Sequence, residues 1–390
     1  MRLKPVFWDL CWRERSTIYQ MRKLLLAFIL LFLSGCTSIS VTQPAPAAAT
    51  IPTGPAVLPG SLALQVTPAS NSGQMNSIPV NWRALNLTGQ LIMILPTANG
   101  TNIGQLDLTS GEIKTLYQAP QQALLNSALV SPDGKQILLV YAPPVSSANQ
   151  QTYTSLYLMP RDGSSAPRPI FSSPSSTDAY FAPAWAPDGN SIYTSHFIQG
   201  SSDGTTPDQF AIERVTLEGK MTRVLSNAEW PRISPDGTKL AFVSASPDTT
   251  NNELYLANID GSQPTQVLKA GAYPAVDDHF FAPDGKSIIF SAVNNYQQLV
   301  PTPTLLERLF GIQNASAHNI PSDWYRVSID SGQVDRLTNL SDTGMYATVS
   351  PDKKWIAFVS QSGLYVMKID GSGLTQLSDL VANGTVDWVP

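Results

Sequence analysis

The chain has 390 residues, 43% hydrophobic and 14% charged, with 24 Lys and Arg against 29 Asp and Glu for a net charge of -5. Setting aside Met1 to Gly35 leaves 18 basic against 27 acidic residues, a charge of -9, and a body so acidic, with no basic patch in its sequence, excludes nucleic acid as the main partner. The length admits one all-β domain of roughly 300 residues without a fused hydrolase, and the two cysteines, Cys11 and Cys36, both precede it.

Met1 to Gln20 fit neither a signal nor anything later in the chain, and Met21 makes the more conventional start. From there Met21-Arg22-Lys23 and the apolar run Leu24 to Leu33 form the charged and hydrophobic regions of a signal peptide, too short to span a bilayer. The run ends in Leu33-Ser34-Gly35-Cys36, which resembles the lipobox of bacterial lipoproteins. That resemblance implies a diacylglycerol on the Cys36 thiol, cleavage just before it, and frequent acylation of the new amino terminus. Residues 1–35 are therefore read as signal peptide and 36–84 as lipidated Cys and tether. Thr37 to Pro79 is rich in Pro, Ala, Ser and Thr, buries too little to fold, and should be solvated. Two acyl chains would hold it to a membrane where one would be marginal.

From about Leu85 the composition changes. Leu87 to Ile94 (LTGQLIMI) and Ile103 to Gly111 (IGQLDLTSG) read as strands, and then one phrase recurs: SPDGKQILLVY at Ser131, APDGNSIYTSH at Ala186, SPDGTKLAFVS at Ser234, APDGKSIIFSA at Ala282 and SPDKKWIAFVS at Ser350. Pro presets φ, Asp accepts a local hydrogen bond and Gly tolerates positive φ, so the phrase predicts a three-residue hairpin loop with a bulge. Lys353 stands where the other copies have Gly and must take positive φ or change the turn, at a cost of about 1 kcal/mol. The apolar runs that follow, such as Leu240 to Val243, suit strands covered on both faces. Each unit has a second half, LYLMPRDG at Leu156, LYLANIDG at Leu254, WYRVSIDSG at Trp324 and LYVMKIDG at Leu364, with weaker copies at Ala211 and Ile103. A unit is thus four strands, A to D, repeating at a spacing typical of propellers or solenoids.

Six C strands but five turn phrases leave one unit incomplete. The tail Val386-Asp387-Trp388-Val389-Pro390 aligns with Pro183-Ala184-Trp185-Ala186-Pro187, the end of an A strand stopped before its turn, and its missing B strand is Leu87 to Ile94. The expected fold is all-β, a six-bladed β-propeller of four-stranded antiparallel blades over Leu85 to Pro390. It closes by pairing the C-terminal strand with the N-terminal blade, which removes an open sheet edge.

With short A to B and C to D turns on one face, the B to C and D to A connections share the other, and the insertions Ala142 to Gln151, Phe197 to Pro207 and Val293 to Pro321 fall there. Long loops on one rim of a rigid scaffold are where binding usually sits. The last insertion carries Leu305-Leu306-Glu307-Arg308-Leu309-Phe310; a lid or partner surface fits it, and so does a plug packing its own side chains. Four residues before each turn Pro stand Ala128, Pro183, Pro231, His279, Ala347 and Val386. His279 differs in kind and follows Asp277 and Asp278, so a carboxylate and an imidazole could meet at the channel and bind a cation or polar ligand; the plainer alternative is an imidazole hydrogen-bonded to a loop carbonyl. Trp230 and Tyr346, one position earlier on their strands, offer a stacking surface or simply wall the channel. Gly200-Ser201-Ser202-Asp203-Gly204 matches G-x-S-x-G but lies in a polar loop, not a strand-turn-helix. The Asp-Gly pairs at Asp162, Asp260 and Asp370 are turn formers rather than calcium loops.

The S-P-D-G repeats resemble the WD-like propeller family of TolB-like proteins over about Leu85 to Pro390. The resemblance implies a blade shared between the termini and a propeller that binds protein partners, the lipoprotein Pal and colicins, with a separate amino-terminal α/β domain for other contacts. Here a lipobox and tether stand in that domain's place. Related blades also occur in the non-catalytic propellers of prolyl peptidases and in sensor ectodomains. The expected function is that of a monomeric, non-catalytic binding or scaffold module, lipid-anchored on the extracytoplasmic side of a membrane. It would present its loop-rich face to a protein or envelope glycan and need no cofactor beyond a channel cation. The alternative is a metal-dependent propeller hydrolase or lactonase at the channel mouth, resting on Asp277, Asp278 and His279.

Overall fold

The computed structural model describes residues 82–390 except 99, 145–152, 172–177, 202–204, 246–252, 274–275 and 294–320, together with the strand Gln74–Met75. The expectations for the signal peptide, Cys36, most of the tether and nearly all of the Val293 to Pro321 insertion lie outside these residues.

The strands assemble into six antiparallel sheets. Blade 1 contains β1 (Gln74–Met75), β2 (Gln90–Thr97), β3 (Gly100–Asp107) and β4 (Ile113–Gln118). Blade 2 is β5 (Leu124–Val130), β6 (Gln136–Ala142), β7 (Ser155–Pro160) and β8 (Arg168–Pro169), and blade 3 is β9 (Ala179–Trp185), β10 (Ser191–Ile198), β11 (Gln209–Thr216) and β12 (Met221–Ser226). Blade 4 is β13 (Ala228–Ile233), β14 (Lys239–Ser244), β15 (Leu254–Asn258) and β16 (Thr265–Gln266). Blade 5 is β17 (Val276–Phe281), β18 (Ser287–Ala292), β19 (Asp323–Ser328) and β20 (Val334–Arg336), and blade 6 is β21 (Tyr346–Val349), β22 (Trp355–Ser360), β23 (Gly363–Lys368) and β24 (Thr375–Ser378). The last strand, β25 (Asn383–Val389), returns to blade 1 as its innermost strand. It pairs with β2 in the register Gln90↔Val389, Leu91↔Trp388, Ile92↔Asp387, and the Trp388 indole donates to the Thr88 carbonyl at 2.9 Å. The six-bladed ring and its closure are as expected, with β1 added as a fifth strand on the outer edge of blade 1.

The continuous apolar runs are explained by the stacking of blades. Along β6, Ile137 and Leu139 enter the core shared with blade 1, while Leu138 and Val140 enter the core shared with blade 3. Along β22, Ile356 and Phe358 face blade 5, and Ala357 and Val359 face blade 1. A strand buried on both faces has no solvent side on which to place polar residues. Each of the six blade interfaces holds one such cluster.

The A to B turn differs from the expected three-residue loop. Ser131 N donates to Gln136 O at 2.8 Å, so four residues lie between the paired positions, and Gly134 N closes an inner turn on Ser131 O at 2.8 Å. The same backbone bonds close the turns at Ala186 and Ala282, which have no hydroxyl, so the backbone sets the length; at Ser131 the Oγ adds to them, donating to Asp133 at 2.6 Å and accepting from Gln136 N at 3.0 Å. Ser234 and Ser350 make the same pair of bonds. These serine hydrogen bonds hold the Asp133, Asp236 and Asp352 carboxyls below their ordinary pKa. Lys353 keeps the turn and takes the left-handed conformation, φ 62°.

At the C to D turns, Asp162, Asp260 and Asp370 each accept from the backbone N–H two residues on at 2.9 Å, the expected turn-forming role. Their glycines also touch the previous blade. A Cβ on Gly163 would lie 2.3 Å from the Leu116 carbonyl oxygen, and one on Gly261 2.5 Å from that of Val224.

Candidate functional site: the channel and its rim

The inner strand of each blade (β25, β5, β9, β13, β17, β21) is an edge strand, so its outward backbone groups need partners outside the ladder. They find them on the neighbouring blades. Ala128 N and Val130 N of blade 2 donate to Thr385 Oγ1 (3.1 Å) and Asp387 Oδ2 (2.7 Å) of blade 1. Trp185 Nε1 of blade 3 donates to Leu129 O of blade 2 at 3.3 Å, and Trp230 N of blade 4 to Ser195 Oγ of blade 3 at 2.7 Å. Asp278 of blade 5 accepts from Arg232 Nη2 of blade 4 at 2.8 Å and from Ala347 N of blade 6 at 3.0 Å. Trp388 N of blade 1 donates to Thr348 Oγ1 of blade 6 at 3.2 Å. These bonds cross all six blade interfaces around the axis.

Inside this girdle lies a cavity of about 240 Å³. Its wall includes one residue from the same position of every blade, three before the turn proline or its equivalent: Asp387, Leu129, Ala184, Arg232, Phe280 and Thr348. Asp387 on blade 1 and Arg232 on blade 4 stand three blades apart, on opposite sides of the ring. Asp278, Tyr346 and Thr385, from the position two residues earlier, complete the polar lining.

Of the residues four before the proline, Pro183, Ala347 and Val386 line the cavity, and the most conspicuous in sequence does not. His279 is fully buried and does not line the cavity. Its strand neighbour Asp278 takes the inward direction, and the imidazole lies in the wall toward blade 4. Burial drives its pKa down to about 3, aided by the Arg232 charge, so the ring is neutral at physiological pH. The Ala241 and Trp230 backbones lie near it, but neither ring nitrogen meets a partner at hydrogen-bonding geometry. Asp277 is buried beside Asp278, near enough for its charge to act on both Asp278 and Tyr346.

Trp230 and Tyr346 do come together. Their rings stack at 6.3 Å with an interplanar angle of 22°, and the Arg232 guanidinium lies 6.0 Å from the Trp230 ring. Trp230 reaches this position through a β-bulge between Glu229 and Arg232, with φ 58°. Bulges re-aim side chains near functional sites. Similar register slips occur in β5, β9, β17 and β25, whereas β21 is regular. Pro183 and Pro231 fall in two of these slips, on inner edge strands where a missing N–H is tolerated.

Arg232 and Asp387 were missed as site residues; counting three rather than four residues before the turn would have found both. Asp387 is enclosed by protein except where it meets the channel. Desolvation pushes its pKa up to about 6, against the pull of the Val130 N–H and the Arg161 charge. Burial raises Asp278 as well, although Arg232 opposes it. Burial and the two nearby aspartates raise the Tyr346 hydroxyl. Elsewhere in blade 3, His196 is held between Asp178 (3.1 Å) and Glu213 (3.3 Å), with Arg223 on Glu213 at 3.1 Å. Both imidazole nitrogens are occupied there, which leaves none to serve a hydroxyl nucleophile.

The family model for the dipeptidyl peptidase IV N-terminal region matches residues 310–390, a span that includes β19 to β25. An uncharacterised protein of Agrobacterium fabrum is 25% identical over 224 residues, 55% of this chain and 62% of the relative, so the chain spans less than two thirds of that relative's length. TolB from Acinetobacter baumannii superposes with a TM-score of 0.52 at 18% identity, over 77% of this chain and 67% of that one. A protein described as TolB from Agrobacterium tumefaciens superposes with a TM-score of 0.51 at 18% identity, over 78% of this chain and 99% of that one. In fold, the chain is a TolB-like six-bladed β-propeller.

Proposed function

We propose that the chain is a non-catalytic binding or scaffold module, tethered to the extracytoplasmic side of a membrane through a lipid on Cys36, that presents its loop-rich face to an envelope protein or glycan. The observation that carries this reading is a path of half-buried aromatic rings on that face. Phe197 meets Phe210 at 5.3 Å, Phe210 meets Phe181 at 6.4 Å, Phe181 meets Trp230 at 6.4 Å, and Trp230 stacks on Tyr346. Rings that are neither fully buried nor free, with Arg232 beside them, have the composition that dominates binding energy at protein interfaces, and Trp and Tyr combine an apolar body with a polar handle. The hydrolase or lactonase reading has less behind it: His279 faces the wall, and among the described residues no three His, Cys, Asp or Glu side chains converge on a metal position.

Purified protein used as bait on envelope extract and on immobilised envelope glycans tests the reading. Capture of a specific partner, lost with Trp230→Ala while the thermal melt is kept, supports it; capture that is indifferent to both Trp230→Ala and Tyr346→Ala overturns it. The tether is tested separately by radiolabelled palmitate, whose incorporation Cys36→Ser should abolish.

A further inference from the structure

Asp387 is a carboxylate without a matched cation. Its Oδ2 accepts from Val130 N at 2.7 Å, but among the described residues no Lys or Arg forms an ion pair with it. The cavity's one guanidinium, Arg232, stands across the ring and is paired with Asp278 at 2.8 Å. These two cancel, and the Arg161 charge reaches Asp387 without an ion pair, so Asp387 is the lining carboxylate left without a paired cation. Enclosing such a charge is unfavourable unless something neutralises it. A proton does so only below about pH 6; at neutral pH the place is open to a cation.

The rest of the wall says what kind. Calcium or magnesium needs about six oxygen ligands, and here Asp387 is joined by the hydroxyls of Thr348 and Thr385 beside Leu129, Val386 and Phe280. With Asp278 taken up by Arg232, aliphatic and aromatic walls around one carboxylate that has no ion-pair partner suit a cation with a hydrocarbon body. At about 240 Å³ the space exceeds the roughly 150 Å³ that holds benzene, so it admits a small organic molecule. We propose that the channel is a binding site for a small organic ammonium ion, its charge taken by Asp387 and its hydrocarbon part lying against Leu129, Val386 and Phe280. This goes beyond the reading of the loop-rich face and stands or falls separately from it.

Isothermal titration of the purified protein with n-propylammonium chloride tests the site, with n-propanol as the neutral isostere, sodium propionate as the anion and calcium chloride as the inorganic cation. The expected result is saturable propylammonium binding at pH 7, absent for propanol and propionate, and weakened at least tenfold by Asp387→Asn, which keeps an oxygen for Val130 N. In the unmutated protein affinity should fall about tenfold from pH 7 to pH 5 as the carboxylate gains its proton, a readout that needs no variant. Absence of propylammonium binding, equal affinity in Asp387→Asn, pH-independent affinity, or preference for calcium would each overturn the assignment.

Discussion

In four of the five A to B turns positive φ falls to a glycine, Gly134, Gly189, Gly237 and Gly285 at 69–74°, and in the fifth to Lys353 at 62°. On the loop face it falls on Ala182 and Trp230, at 46° and 58°, inside the bulged inner strands. The β25 slip likewise uses a glycine, Gly384 at 65°, so Ala182 and Trp230 are the bulge positions at which a side chain is kept at positive φ. A turn needs a backbone shape and nothing more, so the residue without a Cβ suffices. The bulge at Trp230 needs the shape and the side chain together, and strain retained for a side chain is the usual mark of a functional surface. Lesions of the turn face should therefore affect stability alone, and lesions of the loop face and channel should affect binding with little loss of stability.

The largest effect should come from a lesion that crosses both faces. Removing residues 383–390 deletes β25, exposes the β2 edge and takes away the Asp387 and Thr385 acceptors of blade 2. Loss of the cooperative thermal transition, or a drop in Tm above ~10 °C, is expected by calorimetry, since ΔΔG of 1 kcal/mol alone shifts Tm by several degrees. An unchanged melt would mean that the ring does not depend on its closure.

Next comes a lesion confined to the turn face. Gly163→Val adds a Cβ at positive φ and directs it at the Leu116 carbonyl. Left-handed strain and overpacking together should cost about 2–4 kcal/mol, read as a lower urea midpoint. Propylammonium affinity of the folded protein should stay the same; a change there would erase the distinction between the faces.

The channel gives the third effect, with the opposite sign. The folded Asp387 pKa, about 6, lies above the ordinary 3.8, so between about pH 4 and 6 the folded state binds more protons than the unfolded one and stability declines as pH rises. The decline amounts to about 3 kcal/mol. Asp387→Asn should remove it, making the variant more stable than the parent at pH 7 and no more stable at pH 4, as chemical denaturation at both values would report. A stabilising substitution that abolishes ligand binding is the exchange expected of a functional group kept at a cost.

The same contrast governs what could be read from the sequence. The turn phrase, the blade count and the closure were legible because each rests on a local pattern: Pro-Asp-Gly chemistry, continuous apolar runs, and a tail spelled like the end of β9. The four-residue length of the turn was hidden because Pro-Asp-Gly spells only the inner turn, while the outer bond, Ser131 N to Gln136 O and its equivalents at serine and alanine copies alike, is set by the strand pairing. Asp277, Asp278 and His279 were named together, and because adjacent strand positions point oppositely only Asp278 of the three lines the channel, while Phe280 does so from the far side of His279. The bulges that set the phase are tied to neighbouring blades, as where Val130 N meets Asp387 across 257 residues, and no local window contains that information. Trp230 and Tyr346 stand at the same strand position as Asp278, five before the turn proline, and their rings meet at 6.3 Å.

The smallest expected effect isolates the turn rule itself. Lys353 occupies at φ 62° the place that glycine holds in the other four turns, while its N–H keeps the same bond to Ser350 O at 2.9 Å. Since the bonds are already those of the glycine copies, Lys353→Gly removes only the left-handed penalty and adds back some unfolded-state entropy. The first is worth about 1–2 kcal/mol and the second about 0.5–1 kcal/mol in the other direction. A net gain of about 0.5–1 kcal/mol should remain, seen as a higher urea midpoint at unchanged slope. Applied to the loop face, the same substitution at Trp230 would relieve the same kind of strain but lose the stacked ring, so partner capture should fail there whatever happens to the melt. If instead Trp230→Gly retained capture, the strained bulge would be a feature of the backbone alone, and the two faces would differ in length of loop but not in kind.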